Sequence, residues 1–328
     1  MRKQVFGLVF MGLVLAACAG TTPEAKEAPG GVNLEPVTLD RGAEPRGPLR
    51  YMAKQDQNQK LLLRLSLGSF VETQLAYAEA ELPIVDLIAA VGPSFRTEQP
   101  NIFGYPIRFE FVRIEGGEGL DEQTRGEVMA EMAHLTETSA VFEIDDRGIT
   151  RKATVSISKK ASPRMMTLLG NIRTTLLSAA LPVEDVGIGA RWQVDRVLDV
   201  GGMKVPQQVT YSLLGRDSEH LRIGVTVRQS APPQQFALGA EGGDKLIVEA
   251  YEVSAVGVTL VDLREFAPLG ELHGLSQIRG TYTTATASTP FLVNSDLMVQ
   301  LAPLPAEAAV PAPAAATPAP AAAPVAVH

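Results

Sequence analysis

Few residues with chemical potential occur in this sequence in arrangements that could act together. It holds a single cysteine, Cys18, so no internal disulfide and no cysteine-built metal site can form. His134, His220 and His273 stand singly in the body, with no His-Glu-x-x-His pair, so no local zinc site is predicted. His134 falls near the end of an expected helix, where an imidazole favours the terminal carbonyls, and His220 falls in a polar turn. Asp145 and Asp146 could ligate calcium or share a proton. They stand before Arg147-Gly148 between two apolar runs, however, and a hairpin turn accounts for them without a metal. The stretch from Asp262 to His273 gathers Arg264, Glu265 and Glu271 and reads as a solvated strand end and loop rather than a catalytic constellation. The remaining candidates are methionines. Unbranched thioethers repack around varied apolar shapes, so Met129, Met132 and Met166 with Leu169 could line a groove for an apolar ligand, the plainer reading being core. There is no Gly-x-Ser-x-Gly elbow, phosphate loop or dinucleotide fingerprint. The expectation is no catalytic residue, no metal and no cofactor.

Composition narrows the classes further. In 328 residues, 45% hydrophobic and 20% charged side chains are enough to bury a core, while a formal charge of −8 argues against a nucleic-acid partner. The chain starts with the positive Met1-Arg2-Lys3, and Val5 to Ala17 follows as an apolar run too short for the roughly 20 residues of a membrane-spanning helix. This pattern predicts a signal peptide over residues 1–17. The run ends in Leu15-Ala16-Ala17-Cys18, which resembles the bacterial lipobox. That resemblance implies cleavage before Cys18 and acylation of it, with Ala19 favouring the outer membrane, periplasmic face. Losing Arg2 and Lys3 takes the formal charge from −8 to −10, so attachment would rest on acyl chains rather than a basic patch.

The elements follow from patterning. Residues 18–48 are rich in Thr, Pro, Glu and Gly and read as a lipidated flexible linker. Residues 302–328 hold 13 Ala and 7 Pro and read as a disordered tail. Between them, 49–301 reads as a β-rich body. The order of elements allows two similar halves, 49–162 and 163–301, although no residue-level repeat establishes a duplication. Strands are predicted at 61–67 and 70–77 about a turn at Gly68-Ser69, and at 107–114, where Ile107, Phe109 and Phe111 alternate with Arg108 and Glu110. A hairpin is predicted from Val141 to Ile157. Helices are predicted over 121–135 and 163–181, both as covers for a sheet. A meander follows at 193–198, 209–214, 221–229, 246–253 and 256–263, with a final strand or two at 276–287 and 297–301. The fold class is α+β, mainly β: antiparallel curved sheet or meander covered by two helices, flanked by disordered termini.

Where the second helix ends, Leu181-Pro182 leads through Val186-Gly187-Ile188-Gly189 to Trp192, and this resembles a motif of uncharacterised bacterial envelope lipoproteins. The resemblance implies no activity or ligand. Physically, Pro182 ends the helix, the glycines permit a sharp reversal, and Trp192 anchors the next strand. The expected function is a non-enzymatic, membrane-anchored binding or scaffolding module with an envelope protein or apolar ligand as partner. Two alternatives are a carrier of lipid between sheet and helices, and a hydrolase whose site is assembled only in three dimensions.

Overall fold

The computed structural model describes residues 35–304, apart from 54–57, 74–76, 94–103, 117–121, 138, 157–178, 201–202, 239–243 and 285. The strands are β1 (Val37–Asp40), β2 (Gln59–Thr73), β3 (Tyr77–Pro93), β4 (Tyr105–Gly116), β5 (Ser139–Ile144), β6 (Thr150–Ser156), β7 (Arg191–Val200), β8 (Met203–Arg216), β9 (His220–Ala231), β10 (Gln234–Leu238), β11 (Asp244–Asp262), β12 (Leu269–Thr283) and β13 (Ser288–Pro303). Among the described residues there is one α-helix, α1 (Glu122–Met132), which runs into a 3-10 turn at Ala133–Glu137. All strands join one 13-stranded antiparallel sheet in the order β1-β7-β8-β9-β11-β12-β13-β2-β3-β4-β5-β6, with β10 beside β11. Both suggested halves therefore share one sheet.

Alternation dictates what the sheet does next. Along β12, Leu272, Gly274, Ser276, Ile278 and Gly280 face one side and Glu271, His273, Leu275, Gln277 and Arg279 the other, which is exposed throughout. Burying one face of so long a sheet requires it to curl. It does, since a single packed cluster unites Phe142 and Ile144 of β5 with Trp192 of β7, from opposite ends of the strand order. Register shifts at Leu65/Leu67, Ile88/Ala89, Leu213/Gly215 and Val248/Ala250 supply local bends.

The segments before β2 and before β7 close the curl at one end. Tyr51 donates its backbone N–H to Asp146 (2.6 Å), Leu181 to Arg147 (2.8 Å) and Met52 to Leu263 (2.6 Å), while Gly47 and Val186 exchange bonds of 3.1 Å. Glu35 forms ion pairs with Arg147 (2.7 Å) and Arg151 (2.9 Å), tying the approach to β1 onto β6 at the far edge. Leu49, Tyr51, Leu181, Trp192 and Phe266 pack as a floor, with Tyr51 stacked on Phe266 at 4.8 Å between ring centroids. Each fully buried side chain of this size stabilises the fold by about 1.5–3 kcal/mol relative to exposure.

Several expectations are corrected. Gly68-Ser69 is no turn: β2 runs straight through it, because the residues on both sides pair continuously with β13. β3 was absent from the sequence reading, and 246–253 and 256–263 are one strand, β11. Within residues 35–48, expected as part of a linker, β1 pairs with β7 and Gly47 bridges to Val186. Helix α1 lies within the expected 121–135, whereas most of the second helix, at 163–181, lies outside the described residues. The hairpin forms as β5–β6. Asp145 accepts the N–H groups of Arg147 and Ile149 (3.0 and 2.9 Å), and Gly148 takes a φ of 78°.

Candidate functional site

The interior is the place to look, because inward side chains there fall into levels set by strand register. The level through Trp192, Tyr211, Val225, Leu272 and Val299 is apolar or aromatic, and so is the next, through Val194, Val209, Val227, Ala255 and Leu297. Beyond it comes Arg196, opposite Gln207, opposite Gln229, opposite Val253, opposite Ser276, opposite Ser295. The level after that returns to Leu198, Val205, Tyr251, Ile278 and Val293. One polar belt therefore crosses the inner wall between the floor and a second packed cluster of Met203, Val205, Leu246, Val248, Phe291 and Val293.

Two hydrogen bonds engage the glutamines of the belt. The Arg196 Nε–H donates to Gln207 Oε1, and Tyr251 donates its hydroxyl to Gln229 Oε1 at 3.0 Å. An arginine can only donate, so Gln207 must turn its carbonyl to Arg196 and its NH2 elsewhere. Burial pushes the Tyr251 phenol up to about 12, which keeps it a donor at neutral pH. Gln207 and Ser295 are buried, at 6% and 5% exposure. Arg196, half-buried, places a charge at an inward position of β7.

Around the belt, inward side chains keep some exposure while packing against the two clusters. The inward side chains of Val225, Val227, Val253, Leu272, Ile278 and Leu297 are only half-buried, although residues of both clusters are fully so. On β11 and β12 the inward positions include the small residues Ala255, Gly257, Gly274 and Ser276, and at Gly257 a Cβ would fall 2.1 Å from the Glu271 carbonyl oxygen of the neighbouring strand. The middle of the curled sheet thus presents an accessible apolar wall crossed by hydrogen-bond donors. That lining suits an elongated apolar molecule with a polar end.

The residues singled out in the sequence lie elsewhere. Met129 is half-buried on α1 and belongs to neither packed cluster; Met132 lies on the same helix, and Cys18, Met166 and Leu169 lie outside the described residues. His273 faces outward beside Glu271, and His220 sits at the rim with Asp217 (3.1 Å) and Asp262 (3.7 Å). Hydrogen bonds from Arg264 hold the Asp262 carboxyl below its ordinary range, and Arg264 also pairs with Glu219 at 2.9 Å, so the ionisable stretch is a mutually bonded corner. Arg196, Gln207 and Gln229 were missed because each interrupts its own strand's apolar alternation only once; register alone aligns them. The available signal was an Arg at an apolar parity, in Trp192-Val194-Arg196-Leu198.

No protein-family model matches the chain, and a search of curated proteins finds no match.

Proposed function

We propose that this is a non-enzymatic envelope lipoprotein, held to the outer membrane through acyl chains on Cys18, whose curled sheet carries an elongated apolar molecule. The observation that supports the reading is the run of half-buried inward side chains, Val225, Val227, Val253, Leu272, Ile278 and Leu297, over four successive levels of the inner wall, which keep apolar surface within reach of solvent. Water covers the outer face, where Arg222, Arg228, Glu252, Glu271 and Arg279 are exposed at the same levels. Such charges are costly against acyl chains, so the body stands off the bilayer on its N-terminal segment. Compared with the sequence expectation, the ligand moves from a methionine groove between sheet and helices to the inside of the sheet.

The test is native mass spectrometry of the full chain carrying Cys18→Ser, so that its own acyl groups are absent, followed by solvent extraction and analysis of the organic phase. A co-purifying apolar molecule, or stoichiometric uptake of an added one, is the expected result. A protein that takes up none overturns the carrier reading.

Scaffolding is the second reading. The outward Leu214, Val256, Leu260 and Leu275 are 48%, 60%, 53% and 65% exposed, and apolar surface of this kind suits a protein partner. Replacing Val256 and Leu275 with Ser should abolish envelope cross-links if that reading holds and leave ligand uptake intact.

A further inference from the structure

The outer face of the sheet carries an apolar strip with charges of opposite sign on its two flanks. On β11, Val256, Val258 and Leu260 point outward and are 60%, 37% and 53% exposed. Leu275 of β12, one level beyond Val256, is 65% exposed. On the other side Leu214 of β8 crosses Gly224 of β9, where an added Cβ would come within 3.4 Å of its Cδ1, and Gly224 pairs with Val258. Thr226, opposite Val256, keeps the strip uncharged, and Glu252, one level past Leu275, ends it. Solvent-exposed apolar side chains gathered in this way mark a contact surface. The flank on β9 holds the exposed Arg222 and Arg228; the flank on β12 and β13 holds the exposed Glu271 and Asp296. Among the described residues Arg222, Arg228 and Asp296 make no ion pair, and Glu271 bonds the neighbouring His273.

We propose that this strip is the contact between two copies of the chain, stacked face to face about a two-fold axis that runs along β11. The inference rests on the scaffolding reading, whose partner it names, and is independent of the carrier reading. A two-fold contact must be complementary to itself, which decides the axis. An in-plane axis across the strands would lay Arg222 of one copy over Arg228 of the other. The axis along β11 instead carries β9 of each copy over β12 and β13 of the other, bringing Arg222 beside Glu271 and Arg228 beside Asp296. Rotation about that axis also preserves strand direction, so both N-terminal approaches leave at the same end, as two anchors in one membrane require. Confinement to one membrane raises the effective concentration of copies, so a contact that is weak in solution suffices there. In dilute protein the copies separate and Val256 is open to reagents.

The experiment is sedimentation velocity of the full chain carrying Cys18→Ser, at about 1 to 200 μM. A concentration-dependent dimer that salt weakens is the expected result. Val256→Asp sets two carboxylates against each other on the axis and should weaken the dimer at least roughly 10-fold. Arg222→Glu with Arg228→Glu should do the same, and so should Glu271→Lys with Asp296→Lys. Mixing these two charge-reversed proteins should restore a dimer that neither forms alone. All of these side chains are exposed, so circular dichroism and Trp192 emission should match the unsubstituted chain. The measurement on the unsubstituted surface needs no variant to fold. A monomer at every concentration overturns the proposal and leaves scaffolding to a different envelope protein. A dimer indifferent to the reversals, or a mixture that fails to pair, overturns the contact along β11.

Discussion

Single residues decide whether the curl closes. Gly187 lies where Ala43 crosses it, and a Cβ there would fall 1.7 Å from the Ala43 carbonyl oxygen, so alanine cannot enter without moving one of the two crossing segments. Gly189, two residues on, holds a φ of 86°. We expect Gly187→Ala to destabilise the fold by about 2 kcal/mol or more, measured by urea unfolding; a change within about 0.5 kcal/mol contradicts the close crossing. Trp192 is fully buried, stacks on Tyr211 at 5.7 Å and donates its indole N–H to the Ala180 carbonyl at 2.7 Å. Its emission should be blue-shifted and poorly quenched by acrylamide, and Trp192→Ala should cost about 3–5 kcal/mol. The anchor role of Trp192 and the reversal at the glycines were legible in the sequence, because a lone indole behind paired glycines permits few other readings. Arg196 was not legible, since its meaning depends on residues 11 and 33 positions away, Gln207 and Gln229, that only register brings beside it.

At the scale of elements, the weak point is the junction between the two edges of the sheet. Partial burial raises the Glu35 carboxyl, yet hydrogen bonds from Arg147 and Arg151 outweigh it and hold the group below its ordinary value of 4.5. A carboxyl depressed by folding contributes its full stabilisation above the unfolded value and loses it as pH falls through the lower folded one. Glu35→Gln should therefore destabilise the protein at neutral pH by about 1 kcal/mol, discounted for partial exposure, and the difference from wild type should fade below pH 4.5. A difference that persists unchanged in acid would contradict an ionic junction. Short alternating strands with turn residues, such as β5–β6 and β4, were readable because each carries its whole signal locally. The length of β2 and β11 was not. Gly68-Ser69 looks like a turn and Ser254-Ala255 like a break, but a strand paired on both sides along its length keeps its ladder through such residues.

For the molecule as a whole, composition divides the chain into an N-terminal approach, one β body and an Ala/Pro tail, and the strands of the body join a single sheet. Among the described residues, no helix is long and apolar enough to cross a membrane; the anchor we propose, the acyl chains on Cys18, rests on Leu15-Ala16-Ala17-Cys18. Cys18→Ser should move the protein from the membrane to the soluble fraction, and retention there would count against lipidation. The same substitution leaves a chain without any cysteine, which allows the interior to be read one residue at a time. In that background, Val253→Cys places a thiol on the half-buried inner wall and Val256→Cys places one on the outer face, where the native side chain is 60% exposed. A small maleimide should modify both, the inner more slowly, and a bound long-chain apolar molecule such as palmitate should protect the inner site alone. An inner thiol that never reacts, or one that reacts equally with and without amphiphile, would contradict an interior that holds a ligand.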